Sequence, residues 1–395
     1  MELTNLSLEE RNDVVRLSCD VILGTGTTRN LWIDWPAEAR SQVSATIDPF
    51  VVMLLPLAGR TKQPIATAYP VAEILHHNLH EAMAVYESYF PKLFSQFDLR
   101  MPMERRPRGW GQSASFYSGG VDSLFTIAEL EDRAAAGTGT AVDQLWIVHG
   151  FDIRLADTAL WDRVWNTLSS APPVRQKQCY WIRTNILEDF YGDSVPWPLL
   201  GFGPALGGVA KAAVSQVSRV YVGSWTKYGN VVPHASTPLV DPLWSCDQQD
   251  IVHFSARFGR DTKLDRLVQH PELLAILRVC YLNPRGEYNC GHCEKCVRTQ
   301  LQLRIFDAQE SASSFKWPLA PETVARVRLP MSASFRHGWQ FWHKLKATCQ
   351  SRPELRPYSN AISRAMWLSR LQPLKGIVRP FKPLLERLGL LRRSA

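Results

Sequence analysis

Between residues 113 and about 280, four short apolar runs alternate with stretches of helical length. Ser115-Phe116-Tyr117 precedes a predicted helix from about Ser123 to Arg133. Leu145–Val148 precedes one near Asp157 to Leu168, Cys179–Ile182 one near Ala205 to Val217, and Val220-Tyr221-Val222 makes a fourth strand. Strands separated by helices imply parallel neighbours, because a parallel pair needs a crossover of a dozen or more residues. A parallel sheet is covered on both faces, and its ligands bind beyond the carboxyl ends of its strands. The expected fold class is therefore α/β, a doubly wound parallel sheet.

Residues 1–108 read as a separate α+β domain. Alternation in Val15–Val21 and Leu31–Asp34 predicts short strands, and the apolar run Phe50–Leu55 predicts a buried one. Helical periodicity then runs through Val71, Ile74, Leu75, Leu79 and Met83 to Phe94. The basic, proline-containing stretch Met101–Trp110 reads as a connector. The body would then span 109–310 and a basic helical appendage 311–395.

Ser118-Gly119-Gly120-Val121-Asp122-Ser123 lies directly after the first strand of the body and opens its first helix. Two glycines let the backbone turn tightly and bring its amides close to an anion. The helix start adds unpaired N–H groups and the positive end of a dipole. Ser118 and Ser123 add hydroxyl donors, and Asp122 can stand near a phosphate-bound cation. An ordinary strand-to-helix turn is the competing reading. No G-x-x-x-x-G-K-[ST] loop occurs, and Gly24-Thr25-Gly26-Thr27-Thr28-Arg29 lacks the third glycine of a dinucleotide fingerprint.

Across roughly 113–305 the chain resembles the PP-loop (N-type) ATP pyrophosphatases, whose signature is SGG[VIL]DS. The resemblance implies a HUP-like sheet, with Ser118, Gly119, Gly120, Val121, Asp122 and Ser123 holding the pyrophosphate end of ATP. It implies attack of a substrate oxygen on the α-phosphorus, release of pyrophosphate, and displacement of AMP by a nucleophile such as ammonia. Mg²⁺ is expected, to neutralise charge on the leaving group. In that frame Ser118 and Asp122 are catalytic candidates. Lys263, in a Thr262-Lys263 pair like one found late in such enzymes, is a third. Asp152, Thr184 and Gly223 follow the second, third and fourth strands and are placed to meet adenosine or substrate, although loop caps and turns explain Asp152 and Thr184 equally well.

Four of the eight cysteines fall within 280–296 as Cys280-x9-Cys290-x2-Cys293-x2-Cys296. Four thiolates suffice for a closed tetrahedral zinc site. An iron–sulfur cluster is the rival reading. A deaminase centre would need an open coordination position and a proline before its C-x-x-C, where Asn289 stands. The loop together with this spacing is similar to the 7-cyano-7-deazaguanine synthases, although more than one hundred residues precede the loop here. The layout of residues 1–108 is similar to that of an epimerase of UDP-muramoyl dipeptides, which also forms an acyl-adenylate.

Charge separates the ends of the chain. Residues 340–395 hold twelve Lys or Arg against Glu354 and Glu386, more than the whole chain's net +8. Basic residues interleaved with Leu371, Leu374, Ile377, Val378 and Phe381 would suit either a packed helical appendage or an anionic membrane surface or polyanion. Glu73, His76, His77, His80 and Glu81 read as a polar helix face. No leader-like segment opens the sequence and no apolar run approaches the ~20 residues of a spanning helix, so a cytoplasmic location is expected.

The expected activity is an ATP-dependent ligase or synthase that adenylates a carboxylate for amidation or nitrile formation. The alternatives are an acyl-adenylate epimerase and a zinc protein that binds nucleotide without turning it over.

Overall fold

A computed structural model describes residues 1–108, 111–171, 174, 176–329 and 336–371. The chain divides into two compact units, one of residues 1–278 with 283–288 and one of 279–282 with 289–395.

The first unit is built on a ten-stranded sheet. Its N-terminal part comprises β1 (Glu2–Arg11), β2 (Val14–Ile22), β3 (Thr28–Pro36), α1 (Asp48–Thr61) and β4 (Ile65–Thr67). Next come β5 (Val71–Ala72), α2 (Glu73–Tyr89), β6 (Leu99–Arg100) and β7 (Met103–Glu104). The body follows as β8 (Gln112–Phe116), α3 (Val121–Ala135), β9 (Gln144–His149), α4 (Thr158–Ser169), β10 (Gln178–Thr184), α5 (Phe202–Lys211), β11 (Val217–Gly223), β12 (Asp250–Phe254), α6 (Arg260–Leu267) and α7 (Pro271–Leu274). The strand order is β12-β11-β8-β9-β10-β3-β2-β1-β4-β6. The first five pair parallel: the four strands read between 113 and 280 are β8, β9, β10 and β11, and β12, not read from the sequence, adds a fifth at the edge.

The sheet continues without a break across the connector expected near residue 108. Strand β3 pairs antiparallel with β10, Asp34 opposite Arg183 and Ile33 opposite Thr184. Behind that seam Trp35 meets Trp146 edge-on at 5.1 Å and Tyr180 at 6.4 Å, joining both halves into one core. The connector is held as well: Arg106 sends Nη1 2.8 Å to Asp48 Oδ2 and Nη2 to the Pro70 carbonyl. The boundary expected there lies inside a single compact unit.

Residues 50–55, expected as a strand, lie in helix α1. Pro49 at its first turn favours a helix start, and Lys62 at φ +55° ends it by donating its N–H to Ala58. Every residue from Asp48 to Gly59 is buried, so the helix is apolar on all sides and shows no one-faced periodicity to the reader of its sequence. Helix α2 buries Leu75, Leu79 and Met83 of the expected periodicity, whereas Val71 lies in β5, Ile74 is exposed and Phe94 follows the helix end. His76, His77 and His80 stand on a partly exposed face, the rings of His76 and His80 5.1 Å apart.

The second unit holds α8 (Glu294–Ile305), α9 (Pro321–Arg326), α10 (Arg336–Ser351) and α11 (Arg356–Arg370). Val297 and Leu301 of α8 share a core with Val324, Trp342, Leu345 and Ile362. The cysteine module therefore belongs with the C-terminal helices rather than with the sheet. The apolar stripes expected beyond Leu371 lie outside the described residues. Among the described residues no helix is long and apolar enough to cross a membrane.

Candidate functional site

The chain leaves β8 for β9 and β10, then returns past β8 to β11 and β12. The winding thus reverses between β8 and β11, and ligands of such sheets bind beyond the carboxyl ends of the strands at that switch point. Both segments at this switch point are candidates in the sequence: 118–123 after β8, and Gly223 at the end of β11.

The loop locks its own shape. Gly119 takes φ +72°, and a Cβ on it would come within 2.8 Å of Leu168 Cδ2, so both backbone and space call for glycine. Ser118 N–H donates to Ser123 Oγ and Gly120 N–H to Ser118 Oγ, each at 3.3 Å, while Ser123 Oγ donates to the Gly120 carbonyl at 3.0 Å. Gly120 stands at the N-cap of α3 with no side chain to cover the helix start. Val121 is buried and anchors the first turn. Gly223 lets β11 end against that turn, since a Cβ would lie 2.8 Å from the Asp122 carbonyl.

Cations converge on this loop. Lys263, only 1% exposed, donates from Nζ to Asp122 Oδ1 at 3.0 Å and to the Ser224 carbonyl. It is thus a buried partner of the loop. Arg260 Nη1 stands 3.9 Å from Asp122 Oδ2. Arg278, which is buried, donates its backbone N–H to the Gly119 carbonyl at 2.8 Å, and its Nη2 reaches Asn283 Oδ1 at 2.7 Å. Its Nε is buried with no protein acceptor. At the loop, Lys263 and Arg260 together face the one carboxylate of Asp122, and Arg278 is tied to Gly119 through its backbone.

The sequence reading found Lys263 but neither Arg260 nor Arg278. Arg260 sits three residues before Lys263 on one helix, a spacing that shares a face, so helix periodicity carried that signal. Arg278 lies outside any motif, and only the fold brings it to Gly119. The remaining candidates are placed less centrally. Thr184 is fully buried at the end of β10, where its hydroxyl accepts the Ile186 N–H at 3.4 Å. Asp152 has an exposed side chain, and its carbonyl accepts from Asn283 Nδ2 at 2.6 Å. On β12, His253 Nδ1 donates to Asp241 Oδ2 at 2.6 Å, and Ser236 Oγ donates to the same oxygen at 2.7 Å. All three are buried, and no spacing in the sequence announces them.

The second unit holds the candidate metal centre. The sulfurs of Cys280, Cys290, Cys293 and Cys296 all lie within 4.8 Å of one another and are buried. A tetrahedral ion with ~2.3 Å bonds to sulfur sets sulfur–sulfur edges of about 3.8 Å, and Cys290 and Cys296 stand 3.8 Å apart. Backbone N–H groups of Cys293 and Cys296 donate to the sulfurs of Cys290 and Cys293 at 3.3 and 3.4 Å, stabilising negative charge there. Cys293 also caps α8, at the positive end of its dipole. Hydrogen bonding with Cys280 pushes the Cys293 thiol up to about 12, and Cys280 and Cys293 push Cys296 higher still. So many sulfurs at this range cannot ionise together without a cation, and the group can hold a metal such as zinc.

Comparison of the chain with protein-family models, with curated proteins and with solved structures finds no match.

Proposed function

We propose that this chain is a PP-loop ATP pyrophosphatase that adenylates a substrate carboxylate, with zinc as a structural ion in the four-cysteine site. One observation carries the reading: a self-locked Ser-Gly-Gly-Val-Asp-Ser loop lies at the sheet's switch point with Lys263, Arg260 and Arg278 gathered on it. Amides and hydroxyls of the loop would hold the β and γ phosphates. Lys263 and Arg278 would neutralise charge gathering on pyrophosphate as it leaves. Mg²⁺ beside Asp122 would add to that neutralisation.

A carboxylate oxygen attacks the α-phosphorus, the bond from that phosphorus to the β-bridging oxygen breaks, and pyrophosphate departs. Ammonia or an amine then attacks the acyl carbon, and AMP leaves with the bonding electrons. The absence of a Walker lysine in the loop favours this bond over γ-transfer.

Nucleotide chromatography after incubation with candidate carboxylates and ammonia tests the reading. The expected products are AMP and pyrophosphate. Ser118→Ala and Lys263→Met should each slow turnover about 10²–10³-fold, the usual loss for one preorganised charge-stabilising group. Substrate-dependent ADP would overturn the assignment. ATP bound but returned intact with every acceptor would favour a nucleotide-binding protein without turnover.

A further inference from the structure

The antiparallel strands β2 and β3 and the parallel strands β9 and β10 share one transverse row of polar residues. Arg16 on β2 is opposite Asp34 on β3, Asp34 is opposite Arg183 on β10, and Arg183 is opposite His149 on β9. Directly opposed residues lie on the same face, so the four stand side by side across four strands. Strand β8 comes next, and continuing its register with β9 past Phe116–Trp146 brings His149 level with the phosphate loop. Strands lie ~4.8 Å apart, so the row leads into the loop's neighbourhood.

A cavity of about 420 Å³ stands over this row, lined by Arg16, Trp32, Asp34, His149, Trp161 and Arg183 among others. Its size falls within the ~300–1,000 Å³ of small-molecule sites. Asp34 is completely buried and is gripped by both arginines, through Arg16 Nε at 2.6 Å, Arg16 Nη2 at 2.9 Å and Arg183 Nη2 at 3.2 Å. One carboxylate offsets one guanidinium, leaving a positive charge over the row. The lining also includes Asp162, whose side chain is exposed. The rings are set as walls: His149 stacks on Trp161 at 4.4 Å and 2°, and the Arg16 guanidinium lies 4.4 Å above Trp32.

Two polar atoms here lack partners. Arg183 Nε is a buried donor with no acceptor. His149 is 2% exposed; its Nε2 donates to the Arg154 carbonyl at 2.9 Å, which leaves Nδ1 as a lone pair, and Nδ1 has no donor. A buried unpaired group costs free energy until a ligand pairs it. The site therefore asks for an anionic acceptor and a neutral hydrogen-bond donor close together.

We propose that this cavity is the acceptor-acid subsite, taking a small carboxylic acid that carries an N–H beside its carboxylate, of the size of an N-acyl amino acid. The assignment rests on the adenylating reading above and adds to it the class of acid. It also gives the N-terminal strands a task, since Arg16, Trp32 and Asp34 form a third of the lining. The carboxylate lies against Arg183 and the N–H donates to His149 Nδ1.

Calorimetric titration of the full chain tests this with a panel of N-acetyl amino acids, their methyl amides, and MgATP as separate probes. Wild type should bind at least one acid, with its methyl amide bound at least tenfold more weakly. Arg183→Gln, which leaves Arg16 paired with Asp34, should weaken the acid by about ten- to a hundredfold, the usual scale for a charged hydrogen bond. His149→Phe keeps the stack on Trp161 and should weaken the acid by about tenfold, the scale of a neutral bond to a buried group. Both variants should keep wild-type MgATP affinity and circular dichroism. Binding of no acid of the panel by wild type, or equal binding by wild type and both variants, would overturn the subsite. Failure of wild type to bind MgATP while Arg183 still governs acid binding would instead fail the nucleotide reading alone.

Discussion

Asp48 shows how a single buried charge ties the connector to the core. Its side chain is fully buried, and Arg106 pairs with both carboxylate oxygens from a stretch that reads in sequence as a linker. Burial raises the Asp48 pKa, and the Arg106 guanidinium acts against that rise. Removing one partner of a buried pair strands the other, which costs about 3–5 kcal/mol. Arg106→Met should lower stability by that amount in urea denaturation, whereas Arg100→Met, whose partner Asp98 is exposed, should change it by less than about 1 kcal/mol. Equal effects would show that Arg106 is a surface contact. At this scale the loop was legible because its residues are contiguous and each has a local reason: Gly119 for its φ, and Ser118 and Ser123 for their mutual hydrogen bonds. Arg278, Arg183 and His149 were not legible. What brings each to its site lies far off in the chain, Gly119 for Arg278 and strand partners for Arg183 and His149, and a lone arginine or histidine carries no spacing signal.

Among the elements, the cysteine module and α8 make the clearest unit of cause and effect. Metal binding would fix Cys280, Cys290, Cys293 and Cys296 and so hold the start of α8, whose Val297 and Leu301 enter the core with α9, α10 and α11. Trp342 adds a buried bond from Nε1 to Glu294 Oε1 at 2.9 Å in the first turn of α8. Purified chain should contain one zinc per molecule. Chelation, or Cys290→Ser, should lose helical signal from this unit, because structural zinc in small peptides supplies on the order of 10–16 kcal/mol. Iron with sulfide, or full retention of the helices without metal, would count against the structural zinc site. The spacing was readable here because ligands close in sequence need no tertiary structure to meet. Helix α1 is the opposite case. Its apolar run satisfies strand and helix alike, and the choice was made by what surrounds it: burial on every side and a capped end at Lys62.

For the molecule as a whole, the sheet order places the Ser-Gly-Gly-Val-Asp-Ser loop at the switch point, and on the proposed reading ligand protection should follow that order. MgATP should slow amide exchange in 118–130, at the end of β11 and in α6. A ligand at 100 times its Kd adds about 2.7 kcal/mol to the folded state, enough to read as a hundredfold slowing of globally exchanging amides. Protection confined to α10 and α11 would place the nucleotide elsewhere. The sequence alone determined four of the five parallel strands, the Ser-Gly-Gly-Val-Asp-Ser turn into α3 and the close-set cysteines, because each is written in local periodicity or close spacing. Tertiary structure alone decided that β3 would pair with β10, making one ten-stranded sheet from two apparent domains. It also decided that Arg16, Asp34, Arg183 and His149 would stand in one row. Strand pairing joins residues over one hundred and forty positions apart through backbone hydrogen bonds, which every residue but proline can form, so the side chains leave no mark of the partner they will meet.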